Sequence, residues 1–274
     1  MRFLRIGAVV LFIICLAMNI MGNARYKARQ DTNAPVIEST SDYLELTVAQ
    51  GTGELKQGLT AYDKENGDLT NKILIASTSY FVEKGTINVS YVVFDSGHNC
   101  GRYSRKVTFT DYESPRFYLD QPLVFYQGQN IRYLNYIRAT DCLDGDITGQ
   151  IKVAQASISN YTVGIYPVVL EVTNSYGDQA QVELTLVVKS PSFRGPEIFL
   201  KEYLVYIPKG STLDPWSLLQ SVRAYGTGEE ISKDQVTILG SVDTDTPGCY
   251  QLAYSCTQNG QEGRAYLSVV VEGE

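Results

Sequence analysis

Histidine occurs once in these 274 residues, at position 98, and tryptophan once, at 216. A lone imidazole leaves no zinc site built on histidine pairs. Cysteine is scarce as well, at 15, 100, 142, 249 and 256, and no Cys-x-x-Cys spacing occurs. Cys249 and Cys256 fall in one strand-like run, where seven residues extend about 23 Å, far beyond disulfide reach. A bridge between Cys100 and Cys142 stays open on sequence grounds. There is no excess of positive charge: 23 Lys and Arg face 30 Asp and Glu, for a net charge of −7. That balance argues against nucleic acid as a partner, since phosphate binding needs a basic patch. Glycine-rich phosphate loops and serine elbows are missing too. Gly51-Thr-Gly53 and Gly226-Thr-Gly228 lie between strand-like runs, not at strand-to-helix turns.

Long apolar runs are limited to one. Met1-Arg-Phe-Leu-Arg5 is basic, and Ile6 to Gly22 follows without a charge. As a helix this stretch of roughly 17 residues reaches about 25 Å, the low end for a bilayer span. Gly22-Asn23-Ala24 has the small-x-small form of a signal-peptidase site, but Arg25, Lys27 and Arg29 follow at once. The preferred reading is an uncleaved signal-anchor with a polar stalk over residues 1–30, a single-pass membrane protein with its C-terminal part outside. Secretion after cleavage is the alternative.

What fills the rest is repetition. Ala61-Tyr-Asp-Lys-Glu-Asn-Gly-Asp-Leu-Thr70 returns as Ala139-Thr-Asp-Cys-Leu-Asp-Gly-Asp-Ile-Thr148. Pro35, Pro115 and Pro196, each followed by an x-hydrophobic pair, keep a spacing of about 80 residues, and Gly85, Gly164 and Gly248 keep the same beat. Between these landmarks run alternating apolar and polar residues, such as Ile87–Val93, Tyr166–Val172 and Ala265–Val271. Period-two alternation buries one face of a strand, the pattern of a two-sheet sandwich. The fold expected is all-β: three tandem sandwich domains over residues 31–111, 112–190 and 191–274, the last divergent, preceded by one N-terminal transmembrane helix. Asp95-Ser-Gly97, Asn174-Ser-Tyr-Gly177 and Gln258-Asn-Gly260 mark the closing hairpins. A helix is expected over Ser211–Val222, with Asp214 as cap, Pro215 at its first position, and Trp216, Leu219 and Val222 on its buried face. Ile131–Ile137 is its counterpart. Glu54–Gly58 predicts a shorter turn in the first repeat.

These landmarks together resemble a bacterial surface family, the Ig-like modules of the DUF5011 type. Such modules are also found near the end of some pesticidal crystal proteins and are related to hyalin-repeat domains. The second repeat fits best, through Ala139–Thr148, Gly164-Ile-Tyr166 and Asn174–Gly177. In the first, Ile87 stands where the tyrosine would be. The third keeps Pro196, Leu213-Asp-Pro215 and Gly248-Cys-Tyr250, but Ala224–Lys233 has lost the paired aspartates. The resemblance implies Ig-like sandwiches on the outer face of a Gram-positive cell, serving adhesion, contact with cell-wall glycan or a surface protein, or spacing, without catalysis. A scaffold subunit of a membrane or wall assembly is the alternative role.

Two sets of side chains are candidates for binding. Asp63, Asn66 and Asp68, with Glu65 beside them, and Asp141, Asp144 and Asp146 gather hard oxygens of the kind calcium takes. The competing reading is structural, with Gly67 and Gly145 supplying positive φ while the acids accept nearby backbone amides. No other cofactor is expected. Tyrosine is abundant, 20 residues, and Tyr118, Tyr126, Tyr133 and Tyr136, with Phe117 and Phe125, form the densest aromatic stretch. Tyr166 and Tyr250 hold equivalent positions and read as fold elements. His98, beside Asn99 and Cys100, reads as a solvated turn residue, because neighbours in a turn point apart.

Overall fold

The computed structural model describes residues 2–29 and 32–273, which fall into two compact units, Met1–Asp111 and Tyr112–Glu274. The first unit opens with a helix, Arg2–Arg29, whose apolar side chains from Leu11 to Met21 are exposed wherever they are described. Among the described residues no helix is long and apolar enough to cross a membrane, so the expected transmembrane span finds no support in the structure.

A sandwich follows in the same unit. One sheet pairs Val36–Ser39 with Leu59–Asp63 and Gly67–Asp68. The other runs Tyr43–Leu46, Cys100–Phe109, Thr86–Phe94, Leu74–Thr78, with Tyr43–Leu46 parallel to its neighbour. The alternation is what folds it. Ile87, Val89, Tyr91 and Val93 are fully buried on one face of their strand, and Leu55, Leu59, Ala61 and Leu69 of the same unit are buried as well. Burying each such side chain is worth about 1.5–3 kcal/mol.

The second unit repeats the plan twice. Arg116–Leu119, Ile137–Asp141 and Gly145–Asp146 face the sheet Lys152–Ala156, Gly164–Thr173, Gln179–Lys189, Val124–Tyr126. Glu197–Leu200 and Leu219–Arg223 face Thr237–Leu239, Gly248–Gln258, Gln261–Glu272, Leu204–Pro208. In each sandwich one short strand joins the second sheet in parallel with the last strand.

The helix expected over Ser211–Val222 is a single turn, Pro215–Leu218. Asp214 does cap it, accepting from Trp216 N at 3.0 Å, but the backbone turns extended at Leu219. Leu219 and Val222 are then buried from a strand, not a helix face, and Trp216 is left 49 % exposed. Pairing with Glu197–Leu200 outweighs a nucleus of one turn, because an isolated turn fixes several dihedrals for one hydrogen bond. The counterpart in the second repeat is also one tight turn, Tyr133–Tyr136. The first repeat has the longer connection, 3₁₀ turns over Val48–Glu54 broken at Gly51 (φ 59°), where the sequence suggested the shorter one.

Corner and closing hairpins follow the sequence closely. Tyr166 donates to Thr162 O and Tyr250 to Thr246 O, both at 2.8 Å. Gln258 and Gln261 flank a two-residue turn with Asn259 and Gly260 at positive φ. Each of the five cysteines is a free thiol, so the bridge left open between Cys100 and Cys142 is not formed.

Candidate functional site

The acidic turns grow out of the strands Leu59–Asp63 and Ile137–Asp141. Asp63 and Asp141 end those strands on the inward face, 2 % and 5 % exposed. Each turns one carboxylate oxygen back on its own loop. Asp63 Oδ1 accepts from Glu65 N (3.0 Å), Asn66 N (2.7 Å) and Asn66 Nδ2 (2.8 Å). Asp141 Oδ1 accepts from Leu143 N (2.9 Å) and Asp144 N (3.0 Å). Gly67 (φ 75°) and Gly145 (φ 73°) supply the left-handed backbone that lets the chain reverse.

The outer acids face the next step of the loop. Asp68 Oδ1 accepts from Thr70 N and Asp146 Oδ1 from Thr148 N, at 2.8 and 2.9 Å. The threonine hydroxyls in turn accept from Ala61 N and Ala139 N, both at 3.1 Å. This brace drives Leu69 and Ile147 into their cores, each 2 % exposed. Hydrogen bonding to Thr70 and Thr148 holds the Asp68 and Asp146 carboxyls below the usual range. The remaining position clips the closing hairpin: Asn66 Oδ1 accepts from Ser96 N (3.2 Å), and Asp144 accepts from Ser175 N and Oγ (2.6 and 2.8 Å). Each of the five aspartates named in the sequence therefore spends one oxygen on backbone amides. Among the described residues no group of three or more His, Cys, Asp or Glu side chains is placed to hold a metal ion.

Sequence reasoning missed the hairpin half of this arrangement. In the second repeat, Asn174 Nδ2 donates to Asp141 Oδ2 (3.1 Å) and to Tyr112 Oη (2.8 Å), while Tyr112 donates to Asp178 Oδ2 (2.7 Å). Burial, with Asp178 next, pushes the Tyr112 phenol far above its ordinary value, so it remains a donor. In the first repeat Asp95 stands where Asn174 does, and Asn99 where Asp178 does. Asp95 N bonds Asn99 O as Asn174 N bonds Asp178 O. The signal lay in reading the hairpin and acidic turn as one cluster rather than as separate loops.

The four tyrosines do not form a single face. Tyr118 lies on the three-stranded sheet, 43 % exposed, with the Arg138 guanidinium 5.9 Å from its ring centre. Tyr126 is on the opposite sheet and, with Gln127, Gln129, Phe193, Arg194 and Tyr225, lines a cavity of about 390 Å³. Tyr133 and Tyr136 are half-buried against the second repeat's core, Tyr136 beside Phe125 at 6.0 Å between ring centres. His98 is exposed in its hairpin turn, in the left-handed region (φ 68°).

No family model matches the chain. It is similar to the pesticidal crystal protein Cry22Aa of Bacillus thuringiensis, 28 % identical over 225 residues, covering 79 % of this chain and 30 % of that one. It is also similar to an uncharacterized 81.3 kDa protein of Acholeplasma phage L2, 24 % identical over 261 residues, 88 % of this chain and 34 % of that one. The chain thus spans about a third of the length of these relatives. Among solved structures, Drosophila N-cadherin EC1-3 aligns with 86 % of this chain and 99 % of its own at 14 % identity and a TM-score of 0.31. A Clostridium perfringens ZmpB structure, its CBM51-2 in complex with GlcNAc and INT domains, aligns with 57 % of this chain and 41 % of its own at 16 % identity and a TM-score of 0.24. At scores this low neither likeness carries an argument about what the chain does.

Proposed function

We propose that the chain is a non-catalytic array of three Ig-like modules of the DUF5011 type, held at a cell surface. There it spaces or presents its modules for contact with wall glycan or a surface protein. One observation carries this reading: the second and third sandwiches are clamped into a single stiff unit. Arg116 makes two parallel bonds to Glu272 (2.9 and 2.8 Å), Tyr206 Oη accepts from Phe117 N (2.8 Å), and Glu183 O accepts from Ser268 Oγ (2.9 Å). Leu204 of the third repeat is buried in the core of the second. A stiff joint between repeats serves projection, since it keeps a distal face at a set distance.

Attachment through the N-terminus rests on the uncharged run Ile6–Gly22. Carbonate extraction of membranes tests it: an anchored chain stays in the pellet, a cleaved one does not. For the contact itself, the chain from Thr32 onward is incubated with purified cell wall. Retention that soluble glycan competes away supports adhesion, and no retention on any envelope fraction rejects it. A second reading, a scaffold subunit, is favoured by the edge strands Leu74–Thr78 and Lys152–Ala156, which expose Leu74, Ile75 and Val153. It requires a stoichiometric partner to co-purify from membranes.

A further inference from the structure

The two acidic clusters are equivalent in position but not in charge. In the second repeat Asp141 Oδ1 serves its loop, and Oδ2 receives the amide of Asn174 from the hairpin. In the first repeat Asp63 Oδ1 serves its loop in the same way, but the hairpin position of Asn174 holds Asp95, whose Oδ1 and Oδ2 accept from Asn99 N and Nδ2, both at 2.7 Å. Both acids are buried, 2 % and 7 % exposed, and Asp63 Oδ2 is enclosed with no hydrogen-bond partner. A buried carboxylate oxygen without a donor is costly, and the charge of Asp63 also acts on Asp95.

The hydrogen-bond partners of both acids are donors, Glu65 N, Asn66 N and Asn66 Nδ2 on Asp63 Oδ1 and Asn99 N and Nδ2 on the two oxygens of Asp95, surroundings that suit carboxylates rather than carboxylic acids.

We propose that the first repeat binds one hydrated divalent cation between Asp63 Oδ2 and the Asp95 carboxylate, a site the second repeat has replaced with the Asn174 amide and the Tyr112 hydroxyl. Two carboxylates with water completing the shell is a common way to hold Mg²⁺, and Ca²⁺ accepts the same donors at lower geometric demand. So few protein ligands place the dissociation constant on the order of 1 mM, in the range of extracellular modules. The site stands apart from any role at a cell surface, so its failure leaves that reading untouched.

The probe is Mn²⁺ added to the full chain, with free ion counted by electron paramagnetic resonance and Ca²⁺ and Mg²⁺ as competitors. One Mn²⁺ per chain is expected, displaced by both competitors. Asp95→Asn, which installs the second repeat's residue, weakens binding at least about tenfold, the scale of losing one of two charged ligands. Asp146→Asn, in the other acidic turn, leaves it unchanged. In chelator, Asp95→Asn melts higher than the wild type, because it exchanges a like charge for a donor; this readout also reports that the variant is folded. No Mn²⁺ bound at about 10 mM, ten times the expected dissociation constant, overturns the proposal, as does equal binding by wild type and Asp95→Asn.

Discussion

The carbonyl oxygen of Pro35 occupies the space a Cβ on Gly101 would need, and Pro196 stands in the same relation to Gly263. In the first and third repeats the proline that opens the repeat is thus pressed against the last strand of its own sandwich, and only glycine permits the approach. Neither glycine is at positive φ. Space, not backbone conformation, sets the requirement.

Gly101→Ala should therefore destabilise the first unit by about 2 kcal/mol, within the range for forcing a methylene into a packed site. Denaturant unfolding of the full chain, followed for its least stable transition, checks this. Gly263→Ala should shift the third repeat in the same direction.

His98 pays for a conformation that its counterpart adopts freely. It sits at φ 68° at the end of the first repeat's hairpin loop, where the second repeat has Gly177 at φ 83°. His98→Gly should raise stability by about 0.5–1 kcal/mol, the strain released less the added chain entropy. A loss of stability would mean that the imidazole makes a contact worth more than the strain.

The clamp between the second and third repeats is accessible to a double-mutant cycle. Arg116 and Glu272 are each about a third exposed at the side chain (32 % and 30 %), so solvent screening tempers the pair. Arg116→Ala and Glu272→Ala together should show a coupling of about 1 kcal/mol, the upper end for surface pairs and consistent with two parallel bonds. Glu113 also reaches Arg116 at 3.1 Å, so Glu272→Ala alone should cost less than Arg116→Ala.

Acid should weaken the first two repeats in a defined window. Asp63, Asp68 and Asp146 are held below the ordinary carboxyl value of 3.8 by Asn66, Thr70 and Thr148 respectively. The unfolded chain therefore takes up protons at higher pH than the folded one. The stability these acids contribute is fully present above the ordinary value and is lost as pH falls through it toward the folded values. Melting temperature should be flat down to about pH 5 and then decline, and Thr148→Val should make the decline shallower. An unaltered slope in that variant would remove Asp146 from the account.

Strand patterns were legible because alternation is local: Ile87, Val89, Tyr91 and Val93 declare their buried face within seven residues. Tyr166 and Tyr250 were legible for a related reason, as each bonds a carbonyl four residues upstream. The single turn at Pro215–Leu218 was misjudged because its apolar spacing suits a helix and a strand alike. Only the partner strand Glu197–Leu200 selects between them. The backbone bonds of Asp68 and Asp146 were legible because each accepts an amide only two residues along the chain. The coupling of the acidic turn to the hairpin was not, since Asp141 and Asn174 meet across 33 residues of chain.

Repeat spacing, strand alternation, the capping and turn residues, and the net negative charge are properties of the chain read in order, and sequence alone determines them. Folding decides which oxygen of Asp63 is left without a donor and which glycine lies under a proline carbonyl. Those depend on contacts between strands distant in sequence. The echo of one acidic turn in two repeats is visible in the letters. That one copy is satisfied and the other is not is visible only once the hairpin has closed over it.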